Sequence, residues 1–304
     1  MIEILRAGLC DLVMDQGRPG RGALGVPAGG AADPAALVAA NRLVGNDDCA
    51  AGLEITLSGP SLRFPHGGVA ALTGAHFAAT RSSGAPVPWN ETLVLAAGET
   101  LTLAGAEAGS RCWLALRGGL AVRAVMGSRS TFWPGAFGGH LGRPLRSGDT
   151  VRIGKAAGPV HLLRGQPPSA GEDSWPLRVI AGPQAGRFHD AQLATFFGAD
   201  FRVAAASDRR GIRLSEPGVA HAQAGLPSQG VLPGAVQVPP DGQPIILGWD
   251  GPVTGGYPVI AGVIAADWPR LAQLRPGDAV SFATIEVEAA RALAVAGWVI
   301  EELA

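Results

Sequence analysis

Lysine is all but missing from this 304-residue chain: Lys155 is the single one, and arginine carries nearly all of the basic charge. Lys155 stands in Ile153-Gly154-Lys155-Ala156 rather than in a Met-Lys-Met setting, so the chain does not read as a biotin carrier. A GxxxxGK(S/T) loop is also missing, which leaves a P-loop nucleotide site without support. Any ATP or carrier chemistry must then come from a partner. The three cysteines, Cys10, Cys49 and Cys112, are odd in number, far apart and without a CxxC pair. They give neither a disulfide framework nor a zinc site and fit a reducing compartment. A net charge of −1 argues against a broad nucleic-acid or anionic-membrane surface. No apolar run is long enough to cross a bilayer, and Met1-Ile2-Glu3 does not open a secretory signal, so a cytoplasmic protein is expected.

Glycine and proline are abundant, 45 and 24 residues, which favours many short strands joined by tight turns over long helices. Residues 2–14 alternate loosely and read as an opening strand. In the loop that follows, Gly20, Gly22 and Gly25 spell GxGxxG, yet Val26-Pro27-Ala28-Gly29-Gly30 continues as loop where a dinucleotide fingerprint needs a helix. A helix is expected later: Asp33 as N-cap, Pro34 in the first turn, Leu37, Ala40, Leu43 and Val44 as the apolar stripe, and Gly45 as the stop. From Leu53 to Ile153 short strands alternate with turns, a barrel or sandwich pattern.

Residues 166–176, rich in small, polar and proline residues, read as a linker between an N-terminal unit, 1–165, and a C-terminal unit, 177–304. The second unit holds an expected helix from His189 to Phe197 and another, Trp268 to Leu274, capped by Asp267. Glu286 to Leu303 reads as a strand passing into an amphipathic helix. Leu145-Arg146-Ser147-Gly148-Asp149-Thr150-Val151 and Leu274-Arg275-Pro276-Gly277-Asp278-Ala279-Val280 share the form LRxGDxV, an internal echo pointing to two related halves. Ser228 to Asp267 carries the densest polar group. Val236-Gln237-Val238 and Ile245-Ile246-Leu247 read as strands around the turn Pro239-Pro240-Asp241-Gly242, with Gln243, Asp250, Thr254 and Tyr257 close by.

Taken together these motifs resemble the biotin-dependent carboxyltransferase family, the allophanate hydrolase subunit 2-like group that includes the C component of 5-oxoprolinase and KipA-type proteins. The resemblance rests on residues 15–64, on Thr73-Gly74-Ala75, Gly118-Gly119 and Gly127-Ser128-Arg129-Ser130-Thr131, and in the second half on Ser207-Asp208-Arg209, the hairpin and residues 271–278. It implies a mainly β fold of two cyclophilin-like β-barrel units with a few short helices. It implies a companion of the allophanate hydrolase subunit 1 type and, in the 5-oxoprolinase assembly, a LamB/YcsF-like subunit, with ATP driving the opening of 5-oxoproline to L-glutamate. No cofactor is expected on this chain alone; ATP, or carboxybiotin in a urea or amide carboxylase, would be supplied through partners. A KipA-type regulator that binds a kinase inhibitor without turnover is a further alternative. Where the family usually reads DRQTxGGYP, this chain has Asp250-Gly251-Pro252-Val253-Thr254-Gly255-Gly256-Tyr257-Pro258; Gln229 also stands where an acidic residue is common and Arg210 where Met is common.

For a lactam or urea-like substrate, Arg18 or Arg209 would hold a carboxylate. Gln237 and Gln243 would bond the amide, and Glu54 or Asp250 would move a proton if burial raised its pKa. Asp208, Asp241 and Tyr257 complete the expected substrate-binding set. The plainer readings are an exposed Glu54, an Asp241 confined to turn chemistry and a local Asp208–Arg209 ion pair. No metal is expected, because the six histidines show no paired ligand spacing.

Overall fold

The computed structural model describes residues 1–167, 176–219, 226–293 and 298–303. It is mainly β, with few and short helices. The chain divides into two compact units: one holds residues 1–18, 29–167 and 298–303, and the other 19–28, 176–219 and 226–293. Two segments thus differ from the expected boundaries, the glycine-rich loop from residue 19 and the final strand. The expected linker falls mostly at 168–175, outside the described residues.

The first unit is built from two five-stranded antiparallel sheets. One runs in the order Thr150–Val151, Ile2–Arg6, Ser61–Phe64, Glu99–Ala106, Phe77–Arg81. The other runs Cys10–Met14, Gly52–Thr56, Arg111–Leu116, Gly68–Gly74, Thr92–Leu95. The opening strand expected over 2–14 is therefore two strands in different sheets. Alternate side chains of both sheets, among them Ile4, Leu53, Ile55, Leu62, Phe64, Leu72, Leu101 and Leu114, share one apolar interior. Helix α1 (Pro34–Leu43) lies where expected, with the Asp33 carboxylate accepting from the Ala36 N–H at 3.0 Å. Its buried face, including Ala40 and Leu43, packs on Ala71 and Ala115.

In the second unit an eight-stranded sheet runs Ala279–Val280, Phe201–Val203, Gly211–Ser215, Ile245–Leu247, Ala235–Gln237, Val259–Val263, Leu177–Ala181, Phe282–Thr284. Its two outermost strands are separated in sequence by Ser281 alone, which draws the sheet edges together into a nearly closed barrel. Helix α2 (Asp190–Gly198) inserts Phe196, whose ring stacks on Phe282 with centroids 4.4 Å apart.

The internal echo has a structural counterpart. Arg146 N–H donates to Asp149 Oδ2 at 2.7 Å, and Arg275 N–H donates to Asp278 Oδ2 at 2.7 Å. In both turns the glycine is left-handed, Gly148 at φ 89° and Gly277 at φ 93°. Both turns also clamp an equivalent strand: Ile4 N–H bonds Asp149 O as Val203 N–H bonds Asp278 O.

Three local expectations change. Helix α3 (Trp268–Gln273) follows Asp267, but that carboxylate makes no cap; it takes the Arg178 N–H at 2.7 Å and the Arg178 guanidinium instead. A charge-assisted bond to arginine outcompetes a neutral cap. At the end of the chain the order is helix then strand: α4 (Val287–Leu293) precedes Val299–Glu302, which pairs antiparallel with Leu163–Gln166. Glu54 is fully buried rather than exposed, its carboxylate enclosed by the Ala32 N–H, the Trp113 indole and Arg111.

Candidate functional site

In the first unit the glycine-rich loop begins at a polar hub. Asp15 Oδ1 accepts from the Ser128 and Ser130 hydroxyls, each at 2.6 Å, and from the Gly17 N–H at 2.8 Å. Its Oδ2 accepts from the Arg129 N–H at 2.5 Å. Arg18 is 2 % exposed and donates to the Ser130 and Val125 carbonyls, with its guanidinium 5.2 Å from the Phe137 ring centroid. The Gly127–Thr131 motif is thus a loop-fastening device, and two nitrogens of the Arg18 fork, Nε and Nη2, bond protein carbonyls.

Glu54 occupies the strand Gly52–Thr56. Its Oε2 accepts from Ala32 N–H at 2.7 Å and from the Trp113 indole at 3.3 Å, and Arg111 stands 3.6 Å from Oε1. Next to it, burial pushes the Asp33 carboxyl up from 3.8 to about 6, the charge of Glu54 adding to the rise against the pull of the Ala36 and Ala35 N–H groups.

The second unit holds a cleft of about 580 Å³, walled by residues 20–22, 26–28, 230–233, 248–249 and 251–254. Its volume lies in the range of small-molecule sites. The loop carrying Gly248 to Thr254 is pinned from behind. Arg209 holds Asp250 through Nε–Oδ2 at 2.7 Å and Nη2–Oδ1 at 3.3 Å, both side chains nearly buried. Backbone bonds add to this: Asp250 N–H to Arg209 O, Gly248 N–H to Arg210 O and Gly251 N–H to Gly248 O. Gly248 and Gly251 have no room for a side chain, since a Cβ would stand 2.2 Å from Arg209 O and 2.8 Å from Arg210 O respectively. Thr254–Gly255 pairs antiparallel with Gln229–Gly230, and Thr254 and Gly230 both line the cleft.

The expected residues separate accordingly. Arg209 pairs with Asp250, not with Asp208; Asp208 Oδ1 instead accepts from the N–H groups of Arg210 and Gly211, a turn bond. Asp241 does the same for Gln243 N–H at 3.0 Å. Gln237 is 3 % exposed and reaches the Tyr257 carbonyl at 3.5 Å, while the Tyr257 side chain is exposed. Gln243 Oε1 is buried without a hydrogen-bond partner among the described residues. None of the nine expected site residues lines the cleft, although the atypical Gly251-Pro252-Val253 does. Sequence reading passed over Arg21, Trp249 and Leu232 on its walls. Arg21 shares the glycine-rich loop with Arg18, and that proximity was the available signal. Among the described residues no group of three or more His, Cys, Asp or Glu is placed to hold a metal, and no helix is long and apolar enough to cross a membrane.

Residues 24–284 match the family model described as carboxyltransferase domain, subdomain A and B. The chain is 39 % identical to the C component of 5-oxoprolinase from Escherichia coli, over 95 % of this chain and 93 % of that protein. It is 32 % identical to the C component of 5-oxoprolinase from Haemophilus influenzae, over 96 % of this chain and 94 % of that one. Among solved structures it is similar to the K. lactis urea amidolyase, with a TM-score of 0.86 and 30 % identity over 95 % of this chain but only 19 % of that one. It is also similar to TTHA0988, with a TM-score of 0.83 and 35 % identity over 93 % of this chain and 55 % of that one.

Proposed function

The chain belongs to the carboxyltransferase domain, subdomain A and B, family, and from that membership we propose that it is the C component of a multi-subunit 5-oxoprolinase. The observation that carries the reading is the 39 % identity to a protein of that name, which spans nearly the whole of both chains. In this reading a subunit 1-like companion and a LamB/YcsF-like subunit complete a cytoplasmic enzyme. They bring ATP to the opening of 5-oxoproline, and this chain alone is inactive. Each unit is read as a cyclophilin-like barrel, an assignment supported in the second by its nearly closed eight-stranded sheet.

Within this reading Asp250 and Arg209 are positioning residues. Their ion pair fixes the loop that forms one wall of the cleft. Glu54 and Arg18 hold the first unit's loops and strands in register, while Gln237 and Gln243 remain the amide-bonding candidates of the hairpin. Reconstitution with the two companion subunits is the test: glutamate formation that depends on both ATP and 5-oxoproline is expected. Folded subunits that give no turnover in any combination would reject the reading.

A carboxyltransferase role is the second reading, favoured by the likeness to urea amidolyase over 95 % of this chain. That likeness covers under a fifth of the larger protein, whereas the two 5-oxoprolinase relatives match over more than nine-tenths of both chains. Transfer of labelled carboxylate from carboxybiotin to urea, with no glutamate formed from 5-oxoproline, would reverse the order of the two.

A further inference from the structure

The charge on the cleft walls is unbalanced. Among the described residues Arg21 is the single charged side chain on them, and Thr254 is the other polar one. Arg21 is exposed, and its guanidinium has no hydrogen bond or ion pair among the described residues. The carboxylate carried by the wall loop, Asp250, is already paired with Arg209. A planar guanidinium, unengaged among the described residues, on walls to which those residues bring no acidic group, is matched by a carboxylate, which it can grip bidentately.

The remaining walls are apolar and stiff. Trp249 is 8 % exposed, and its ring meets Trp268 edge-on, with centroids 5.5 Å apart at 81°. Leu232, 75 % exposed, stands at the opening, where covering it would remove apolar surface from water. Also on the walls, Gly251-Pro252-Val253 supplies neither charge nor amide side chain, and the close approach of Arg210 O to Gly251 bars one from being added there without moving the backbone.

We propose that this cleft is a binding site for a small organic monocarboxylate with a flat, apolar body, its carboxylate on Arg21 and its body against Trp249 and Leu232. The inference concerns the second unit's cleft alone and does not rest on the 5-oxoprolinase reading.

Calorimetric titration of the full chain tests it with three probes: indole-3-propionate, its primary amide and 5-oxoproline. Indole-3-propionate is expected to bind, with the amide about tenfold weaker because it lacks the charge. 5-Oxoproline is expected to bind at least about tenfold more weakly than indole-3-propionate, for want of apolar area. Arg21→Gln, at an exposed position that leaves the fold intact, is expected to bring indole-3-propionate down to the level of the amide; Leu232→Ser should weaken all apolar probes and spare their ranking. No heat with indole-3-propionate at millimolar concentration, equal binding in Arg21→Gln, or 5-oxoproline binding as tightly as the indole acid would overturn the assignment. No companion subunit or ATP enters the titration, so such a failure leaves the 5-oxoprolinase reading standing.

Discussion

Asp33 meets two demands at once: it caps α1 and it sits buried beside Glu54. Its folded pKa, about 6, lies above the ordinary 3.8, so the folded protein holds this proton more tightly than the unfolded chain does. The resulting stabilisation is complete below about pH 3.8 and is lost as the pH rises through about 6, a loss of about 3 kcal/mol at neutral pH. Asparagine caps as well as aspartate but carries no charge. Asp33→Asn should therefore be more stable than the parent at pH 7.5 and show a shallower fall between pH 4 and 6, read by urea denaturation across that range. Asp11, buried and raised to about 6 as well, would keep its own share of the slope. Parallel curves for parent and variant would contradict the pKa assignment. Arg18 offers a second test at this scale. Lysine keeps the charge but loses the fork that serves Ser130 O and Val125 O, so Arg18→Lys should lose about 3 kcal/mol of stability.

Among the elements, the loop from Gly248 to Thr254 depends most on its surroundings. Removing one member of the nearly buried Arg209–Asp250 pair strands the other, and Asp250→Asn should cost about 3 kcal/mol or more. Replacing both, Arg209→Met with Asp250→Leu, should recover most of that loss, as measured in the same denaturant series. Restoring the family's usual arginine at position 251 is not a simple reversal, because any Cβ there meets Arg210 O at 2.8 Å and Gly248 O at 2.9 Å. Gly251→Ala alone should cost about 2 kcal/mol and narrow the cleft, visible as lowered thermal stability.

The same elements show what was legible in the sequence. Asp33-Pro34 announced α1 because capping is local, and the LRxGDxV echo announced matching turns because an Asp-to-N–H bond spans three residues. The division of roles between Arg18 and Arg21 was not legible. One is buried by carbonyls more than a hundred residues away in sequence and the other stands on a cleft wall, a contrast set by tertiary packing. Asp267 looked like a helix cap until Arg178, 89 residues distant, claimed its carboxylate.

At the scale of the whole molecule, two β-rich units with matched closing turns agree with membership of a carboxyltransferase domain family, and the near end-to-end relatives direct the reading toward one subunit of a larger enzyme. The most direct measurement is a drop-out assay: glutamate released from 5-oxoproline and ATP by the assembled subunits, with and without this chain. The account predicts turnover in the complete mixture and background levels when the chain is omitted. Equal turnover in both mixtures would contradict it.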